Sequence, residues 1–422
     1  MSGRPLGVAF VNLGCRVNRV ELDMMAEALE DLGCVMCEET EASAVVVNTC
    51  AVTGEAQAKA RKAVRRAALM PQVPLVVATG CVASLFADEL SDIAPNVVVV
   101  TDKRQVARVV SEGLGVESGS CGETGVPLAT PTPTGRTRPG VMIQDGCDNR
   151  CTYCIVWKAR GRSRSVEPDA VLADVRAALG RGAREVVLTG INLGCYRSAG
   201  ESGELRLAGL LDRILDETDV GRVRISSIEP PDVTADLLRV MAASEGRVAP
   251  FLHVCLQSGC DETLRRMGRV YRTELYRRVT DAARAAVPDI ALGTDLIVGF
   301  PGETDEEFGR SLAFCRETRF SRMHVFRYSR RPGTPAATAA DQVDPPVMAE
   351  RSREMRALAS RMRREEAARL VGTDQLVVVQ SPGRGVTGGL FDAVVDPRLA
   401  VDSLVRVRVS TVRGDGTLMG SE

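Results

Sequence analysis

The chain has 422 residues, of which 45% are hydrophobic and 4% aromatic, and a net charge of −1. That length exceeds one ordinary domain, and the apolar content is ample for buried cores. Near-neutrality excludes a global field that attracts nucleic acid, so any nucleic-acid surface must be local.

Residues 6–13 read as a buried strand ended by Gly14-Cys15. Glu21 to Leu32 has helical spacing, with Leu22, Met25, Leu29 and Leu32 on one face. Val45 to Val47 is a second strand ending in Asn48-Thr49-Cys50, and Gln57 to Leu69 a second helix. Leu75 to Ala78 is a third strand ending in Thr79-Gly80-Cys81. Val97 to Val100 and Lys103 to Val110 add a strand and a helix. This alternation predicts a doubly wound parallel α/β domain over 1–114. Cys15, Cys50 and Cys81 each follow a strand's carboxyl end, and in open α/β sheets those ends line one edge where ligands bind. The placement predicts a three-thiol site. Cys34 and Cys37 form a C-x2-C that is read as incidental. Residues 115–138, rich in Gly, Ser, Thr and Pro and containing Cys121, read as a linker.

After the apolar run Val141-Met142-Ile143 comes Gln144-Asp145-Gly146-Cys147-Asp148-Asn149-Arg150-Cys151-Thr152-Tyr153-Cys154. The C-x3-C-x2-C spacing lets three thiolates face one point if the backbone wraps, which a glycine-bearing loop permits. Three local thiolates leave one iron of a four-iron cluster open to a small molecule. Zinc favours paired C-x2-C units or added histidines. The chain has only two histidines, His253 and His324, each placed within a strand and read as a satisfied barrel residue. The basic run Ala159-Arg160-Gly161-Arg162-Ser163-Arg164 reads as a phosphate-contacting loop or a solvated turn.

Strands and helices then alternate to about residue 326, giving six strand–helix steps and predicting a partial (β/α)6 barrel within 139–370. Polar motifs lie at the strand ends: Thr189-Gly190-Ile191-Asn192, Glu229, and Gln257. Pro345 to Leu370 reads as a helix with seven Arg and three Glu in 351–370, either a solvated basic face or an RNA-backbone contact. Short β runs over 371–422 predict a small β-barrel. Gly383 to Gly388 matches G-x-G-x-x-G, but no helix pattern follows, so a dinucleotide site is excluded. Phe391 is the only aromatic after Tyr328, which argues against base stacking by this domain.

The Cys147-Cys151-Cys154 motif with Tyr153 before its last cysteine resembles the radical S-adenosylmethionine enzymes. The Cys15, Cys50 and Cys81 motifs, with the domain order and a terminal TRAM-like barrel, resemble the methylthiotransferases among them. That resemblance implies two [4Fe-4S] clusters: a radical one on Cys147, Cys151 and Cys154, and an auxiliary one on Cys15, Cys50 and Cys81. It implies S-adenosylmethionine contacts from Tyr153, Thr189, Gly190, Asn192, Glu229, Gln257 and Asp295, and substrate contacts from Arg160, Arg162 and Arg164. One cofactor molecule would methylate sulfur and a second supply the 5′-deoxyadenosyl radical; no side-chain acid or base is identified. Trp157-Lys158 departs from the Pro-aromatic pair usual in the family. The motifs around Cys50, Cys147 and Gln257 look most like the enzymes that convert N6-threonylcarbamoyladenosine beside the tRNA anticodon to its 2-methylthio form. Isopentenyladenosine of tRNA, a protein residue, or a non-catalytic RNA-binding iron–sulfur role are the alternatives. An electron donor such as flavodoxin or ferredoxin is implied as a partner. Met1 to Pro5 carry no apolar signal core and no run approaches membrane-spanning length, so a cytoplasmic protein without membrane contact is expected.

Overall fold

The computed structural model describes residues 6–115, 137–200 and 203–421. The expected linker, with Cys121, falls almost wholly outside the described residues. By compactness the chain divides into two units. The first comprises residues 1–133 with Asp145–Asn149 and Cys154–Arg162, and the second comprises the remainder.

The first unit is built on β1 (Gly7–Asn12), α1 (Arg16–Asp31), β2 (Val35–Met36), β3 (Ala44–Thr49), α2 (Gly54–Ala68), β4 (Leu75–Gly80), α3 (Cys81–Leu85), α4 (Ala87–Ser91), β5 (Val97–Val99) and α5 (Val106–Gly113). Its five strands run parallel in the order β2-β1-β3-β4-β5. β3 is buried at every position, as a strand covered on both faces must be. Val8, Ala44, Val46 and Val77 pack with Leu22, Met25, Val106 and Val110 of α1 and α5, whereas Val45, Val47, Val76 and Ala78 pack with Ala60, Val64 and Ala67 of α2. The doubly wound expectation holds. α1 starts five residues before its expected start, because Val17 and Val20 already lie on the buried face.

In the second unit the order is β6 (Gly140–Met142), β7 (Gln144–Asp145), β8 (Arg164–Ser165), α7 (Pro168–Gly180), β9 (Glu185–Thr189), a hairpin of β10 (Arg197–Gly200) and β11 (Gly203–Arg206), α8 (Leu207–Glu217), β12 (Arg222–Ile225), β13 (Ser227–Ile228), α9 (Ala235–Ala243), β14 (Phe251–Val254), α10 (Asp261–Arg266), α11 (Thr273–Ala286), β15 (Ala291–Val298), α12 (Asp305–Thr318), β16 (Arg322–Arg327) and α13 (Pro345–Ala368). α6 (Val156–Arg160) belongs to the first unit. β6, β9 and β12 form one parallel sheet, and β13, β14, β15 and β16 another. β12 and β13 are one strand broken at Ser226, so six strands follow one another in chain order as an open barrel. Its core runs from Val141 through Leu188, Ile225, Leu252 and Leu292 to Leu358 of α13.

The carboxyl-terminal residues form the expected small barrel, closed in the order β17 (Asp374–Ser381), β18 (Arg384–Thr387), β19 (Asp392–Val394), β21 (Leu418–Ser421), β20 (Leu404–Val412). The G-x-G-x-x-G run is β18. A Cβ on Gly385 would lie 2.4 Å from Val377 and 2.7 Å from the Val378 carbonyl, so this glycine serves strand packing, not phosphate. Phe391 is buried in this barrel's core. Arg222 and Arg224, both 0% exposed, donate to Glu185 and to the carbonyls of Leu376, Val386, Thr387 and Gly388. They join the β9–β12 sheet to the small barrel.

Candidate active site

In the first unit the sheet register gathers the three cysteines. Asn12 pairs with Asn48 and Asn48 with Thr79, so three adjacent strands end level with one another. Cys15, Cys50 and Cys81 follow those ends within three residues. Cys15 caps α1, and Cys81 opens α3. The polar residues of each motif then tie the turns together. Asn18 donates from Nδ2 to Asn48 Oδ1 at 2.8 Å and to the Thr49 carbonyl at 3.0 Å. Asn48 Nδ2 donates to the Asn18 carbonyl at 2.8 Å. Thr49 Oγ1 donates to the Thr79 carbonyl at 2.6 Å and accepts from the amides of Val82 and Ala83. Gly80 has φ +93°, and a Cβ there would lie 2.4 Å from both Asn48 Oδ1 and the Thr49 carbonyl. Only glycine fits beside this knot.

The thiols are electrostatically coupled. Cys15 is exposed as a residue, and Cys50 and Cys81 are buried. Crowding by the surrounding chain raises the Cys15 thiol, and Arg160 opposes that. Burial pushes Cys50 up to about 11, with Cys15 and Cys81 adding and Arg160 opposing. The donor set fits a thiolate-ligated metal cluster: three sulfurs just past the carboxyl ends of three adjacent strands, on turns tied together by hydrogen bonds.

Arg160 is not at the surface, where a substrate contact was expected. It is 7% exposed. Its Nη1 donates to Glu21 Oε1 and Asp145 Oδ1, both at 2.8 Å, and Nη2 to Asn18 Oδ1 at 3.2 Å. Cys15 Sγ donates to that same Asn18 oxygen at 3.1 Å. Lys103 Nζ also meets Glu21 Oε1, at 2.6 Å. The pairing with Arg160 holds the Asp145 carboxyl below its ordinary range against the opposing effect of burial. Arg160 reaches this position because α6 docks on the unit's core through Ile155 and Ala159. Arg162 is 91% exposed beside Asp148, and Arg164 is exposed. Trp157 is partly buried in α6 with the Lys158 ammonium 5.3 Å from its ring.

Of the C-x3-C-x2-C loop, Cys147 and Cys154 belong to the first unit. The Cys147 amide donates to the Gly161 carbonyl at 3.0 Å. Gly146, φ +75°, leaves no room for a Cβ, which would sit 1.9 Å from the Arg162 carbonyl oxygen. Cys151 belongs to the second unit and is buried. Its Sγ accepts from Arg269 Nη1 at 3.1 Å, while Arg269 Nη2 donates to Glu229 Oε1 at 2.9 Å and Nε to Tyr271 Oη at 2.9 Å. Sequence reasoning missed Arg269.

The other expected cofactor residues of the second unit lie at or near strand carboxyl ends. Thr189 closes β9 and is buried. Gln144 Oε1 accepts from the amides of Ile191 (3.0 Å) and Asn192 (2.8 Å) and its Nε2 donates to Ser163 Oγ at 2.9 Å. A Cβ on Gly190 would come within 3.0 Å of Gln144. Asn192 is 5% exposed, and its Oδ1 is buried without a hydrogen-bond partner. An orphaned acceptor of this kind suits a ligand ammonium group. Tyr153 stacks edge-on to Phe300 at 6.2 Å. Gln257 has φ +66° and pairs through its backbone with β15.

Asp295 is already engaged by protein. His324 Nδ1 lies 3.0 Å and His253 Nε2 3.1 Å from its Oδ1. Burial works against the Asp295 charge, but the two imidazoles outweigh it and hold the carboxyl well below the usual range. Arg322 Nε donates to His324 Nε2 at 3.3 Å, which fixes the proton of neutral His324 on Nδ1. The partner of His253 Nε2 is thus a carboxylate, at 3.1 Å. Strand register, not sequence spacing, brings the three residues together.

The model of the Radical SAM superfamily matches residues 141–315, and that of Uncharacterized protein family UPF0004 matches residues 7–102. The chain is 33% identical over 420 residues to a threonylcarbamoyladenosine tRNA methylthiotransferase of Thermotoga maritima, covering 97% of this chain and 96% of that protein. It is 35% identical to the Bacillus subtilis protein of the same name over 373 residues, 86% and 82% of the two chains. It is 36% identical over 416 residues to a tRNA-2-methylthio-N(6)-dimethylallyladenosine synthase of Frankia alni, 94% and 82% of the two chains. A solved radical S-adenosylmethionine methyltransferase, TsrM from Kitasatospora setae, shares the fold with a TM-score of 0.56 at 17% identity over 78% of this chain and 75% of that one. The family uses S-adenosylmethionine and a [4Fe-4S] cluster. With its three-thiol sheet edge, its cysteine triplet and its open barrel, the chain belongs to the radical S-adenosylmethionine methylthiotransferases.

Proposed function

We propose that this protein methylthiolates tRNA, converting N6-threonylcarbamoyladenosine beside the anticodon to its 2-methylthio derivative, with one [4Fe-4S] cluster held by Cys147, Cys151 and Cys154 and a second by Cys15, Cys50 and Cys81. The observation that carries the reading is the gathering of Cys15, Cys50 and Cys81 at three level strand ends, apart in sequence from the triplet. When bound, the clusters with S-adenosylmethionine supply the sulfur, methyl and radical chemistry. The chain's own part is positional. Asn192 Oδ1 offers the cofactor a buried polar acceptor, on a turn held by Gln144. Arg269 balances the charge of Cys151 against Glu229. Exposed Arg356, Arg361 and Arg364 on α13 offer cations to the RNA backbone, while Phe391, buried, offers no stacking surface. An electron donor of the flavodoxin or ferredoxin class supplies the electrons.

The threonylcarbamoyl substrate is favoured by relatives of that name that match nearly the whole chain. Dimethylallyladenosine is the second reading, because relatives of that name are 32 to 37% identical. Mass spectrometry of tRNA nucleosides decides, comparing cells lacking the gene with cells carrying it intact or as Cys147→Ala. Appearance of 2-methylthio-N6-threonylcarbamoyladenosine only with the intact gene supports the proposal. The dimethylallyl product instead selects the second reading. Unchanged tRNA rejects both.

A further inference from the structure

Arg160 is the least expected residue of the first unit. It lies six residues beyond Cys154, yet its guanidinium is buried among residues of the three-cysteine edge. Its partners are arranged as a balance. Arg160 and Lys103 supply two positive charges, and Glu21 and Asp145 two negative ones. Asn18 Oδ1 is shared by Arg160 Nη2 at 3.2 Å and Cys15 Sγ at 3.1 Å, and the same side chain's Nδ2 holds the Thr49 carbonyl next to Cys50. Asn18 thus ties the guanidinium to the Cys15 thiol and to the turn that carries Cys50; ligation of iron removes the thiol's proton, and the tie to the Cys50 turn remains. A lysine offers a single ammonium and cannot span Glu21, Asp145 and Asn18 as a planar fork does.

We propose that Arg160 is a positioning residue of the auxiliary site: through Asn18 it holds the turn that carries Cys50, and it sets the positive charge felt by a cluster held on Cys15, Cys50 and Cys81. This rests on the two-cluster reading above. A buried cation beside an iron–sulfur cluster favours its reduced, more negative form, because net charge and hydrogen bonds to the sulfurs set the potential. Removing the cation and removing one of its anions must therefore act in opposite directions, which a merely structural role would not produce. Arg160 also couples the segment after Cys154 to the auxiliary site through bonds made within one folded unit.

The test uses the full chain with Cys147→Ala, Cys151→Ala and Cys154→Ala, loaded anaerobically with iron and sulfide. The one-electron reduction of the remaining cluster by dithionite is followed by electron paramagnetic resonance at fixed solution potentials. Arg160→Gln is expected to lower the ratio of reduced to oxidised cluster by about tenfold, and Glu21→Gln to raise it by about as much. Arg160→Lys is expected to stay close to the parent in potential while altering the resonance line shape, since Asn18 loses its partner. If Arg160→Gln retains no iron, Glu21→Gln alone decides. A ratio unchanged within about twofold in the variants that hold iron, or shifts of the same sign, overturns the proposal. Failure of the parent itself to bind a cluster overturns the two-cluster reading instead.

Discussion

Arg269 and Cys151 are joined by a 3.1 Å hydrogen bond from guanidinium to sulfur, deep in the second unit. Glu229 and Tyr271 take the other faces of the same guanidinium. Arg269→Gln removes the cation while Glu229 stays in its pocket. Breaking a buried ion pair from one side costs about 3–5 kcal/mol. The variant is expected to lose unfolding free energy of about that size, read as a lower urea midpoint at unchanged slope. On the proposed two-cluster reading it should also retain less iron on the Cys147-Cys151-Cys154 loop, while iron on Cys15, Cys50 and Cys81 is unchanged. Arg269→Lys keeps the charge and loses the fork, so its loss should be clearly smaller.

Gly80 offers a second, purely steric test. A side chain there meets Asn48 Oδ1 and the Thr49 carbonyl at 2.4 Å and must also adopt φ +93°. Left-handed strain and overpacking each cost on the order of 1–3 kcal/mol. Gly80→Ala is expected to lower stability by about 2–4 kcal/mol and to disturb all three cysteine turns, because Asn48 and Thr49 tie them together. Thermal denaturation with iron content as a second readout checks this. Gly182→Ala is the control: its φ is +96°, and no atom lies within 4 Å of its added Cβ. It should cost stability through strain alone and leave iron binding intact.

These cases mark what the sequence could disclose. The gathering of Cys15, Cys50 and Cys81 was legible because each sits beside a strand end with Gly, Thr or Asn, which local pattern reveals. Their electrostatic partners were not. Arg160 meets Glu21 across 139 residues and Arg269 meets Cys151 across 118, and no periodicity encodes such pairings. Asn18 was hidden because apolar spacing placed the start of α1 at Glu21, five residues too late to include it. The His253–Asp295–His324 cluster depends on strand register, which alternation alone leaves undetermined. The strands covered on both faces, by contrast, were readable to within about two residues, since Val-rich runs have few other ways to be buried, whereas short strands such as β2, β10, β11, β18 and β21 carry no such run and were not read.

Glu185 carries a pH dependence. Burial disfavours its charge, but Arg224 and Arg222 outweigh that and hold the carboxyl below its ordinary value. A carboxyl depressed in the folded state stabilises fully above its unfolded pKa, near 4.3, and the contribution fades as pH falls through the folded value. Melting temperature should therefore drop on the acid side, below about pH 4. Glu185→Gln removes this slope and leaves two buried guanidiniums without their anion, at a cost of about 3–5 kcal/mol at neutral pH. Because both guanidiniums also hold carbonyls of the small barrel, limited proteolysis should release residues near 371–422 first in the variant.

α13 turns one side to the barrel core and another to solvent. Met355, Leu358 and Met362 face the barrel core, and Arg351 is spent on Glu303 and Asp305. Arg356, Arg361 and Arg364 remain on the exposed side. If they meet RNA phosphates, each contact contributes about 0.9 to the slope of log affinity against log salt. Replacing all three by Gln is then expected to weaken tRNA binding at low salt and to flatten that slope by about 2–3. Because the three side chains lie on the exposed side of α13 and are none of the residues proposed to hold the clusters or the cofactor, 5′-deoxyadenosine formation without tRNA should not change. Filter binding across a salt series reads the first effect, and chromatography of the cleaved cofactor reads the second. An unaltered slope would assign these arginines to solvation alone and move the RNA contact to Arg162 and Arg164, the exposed pair of the basic loop.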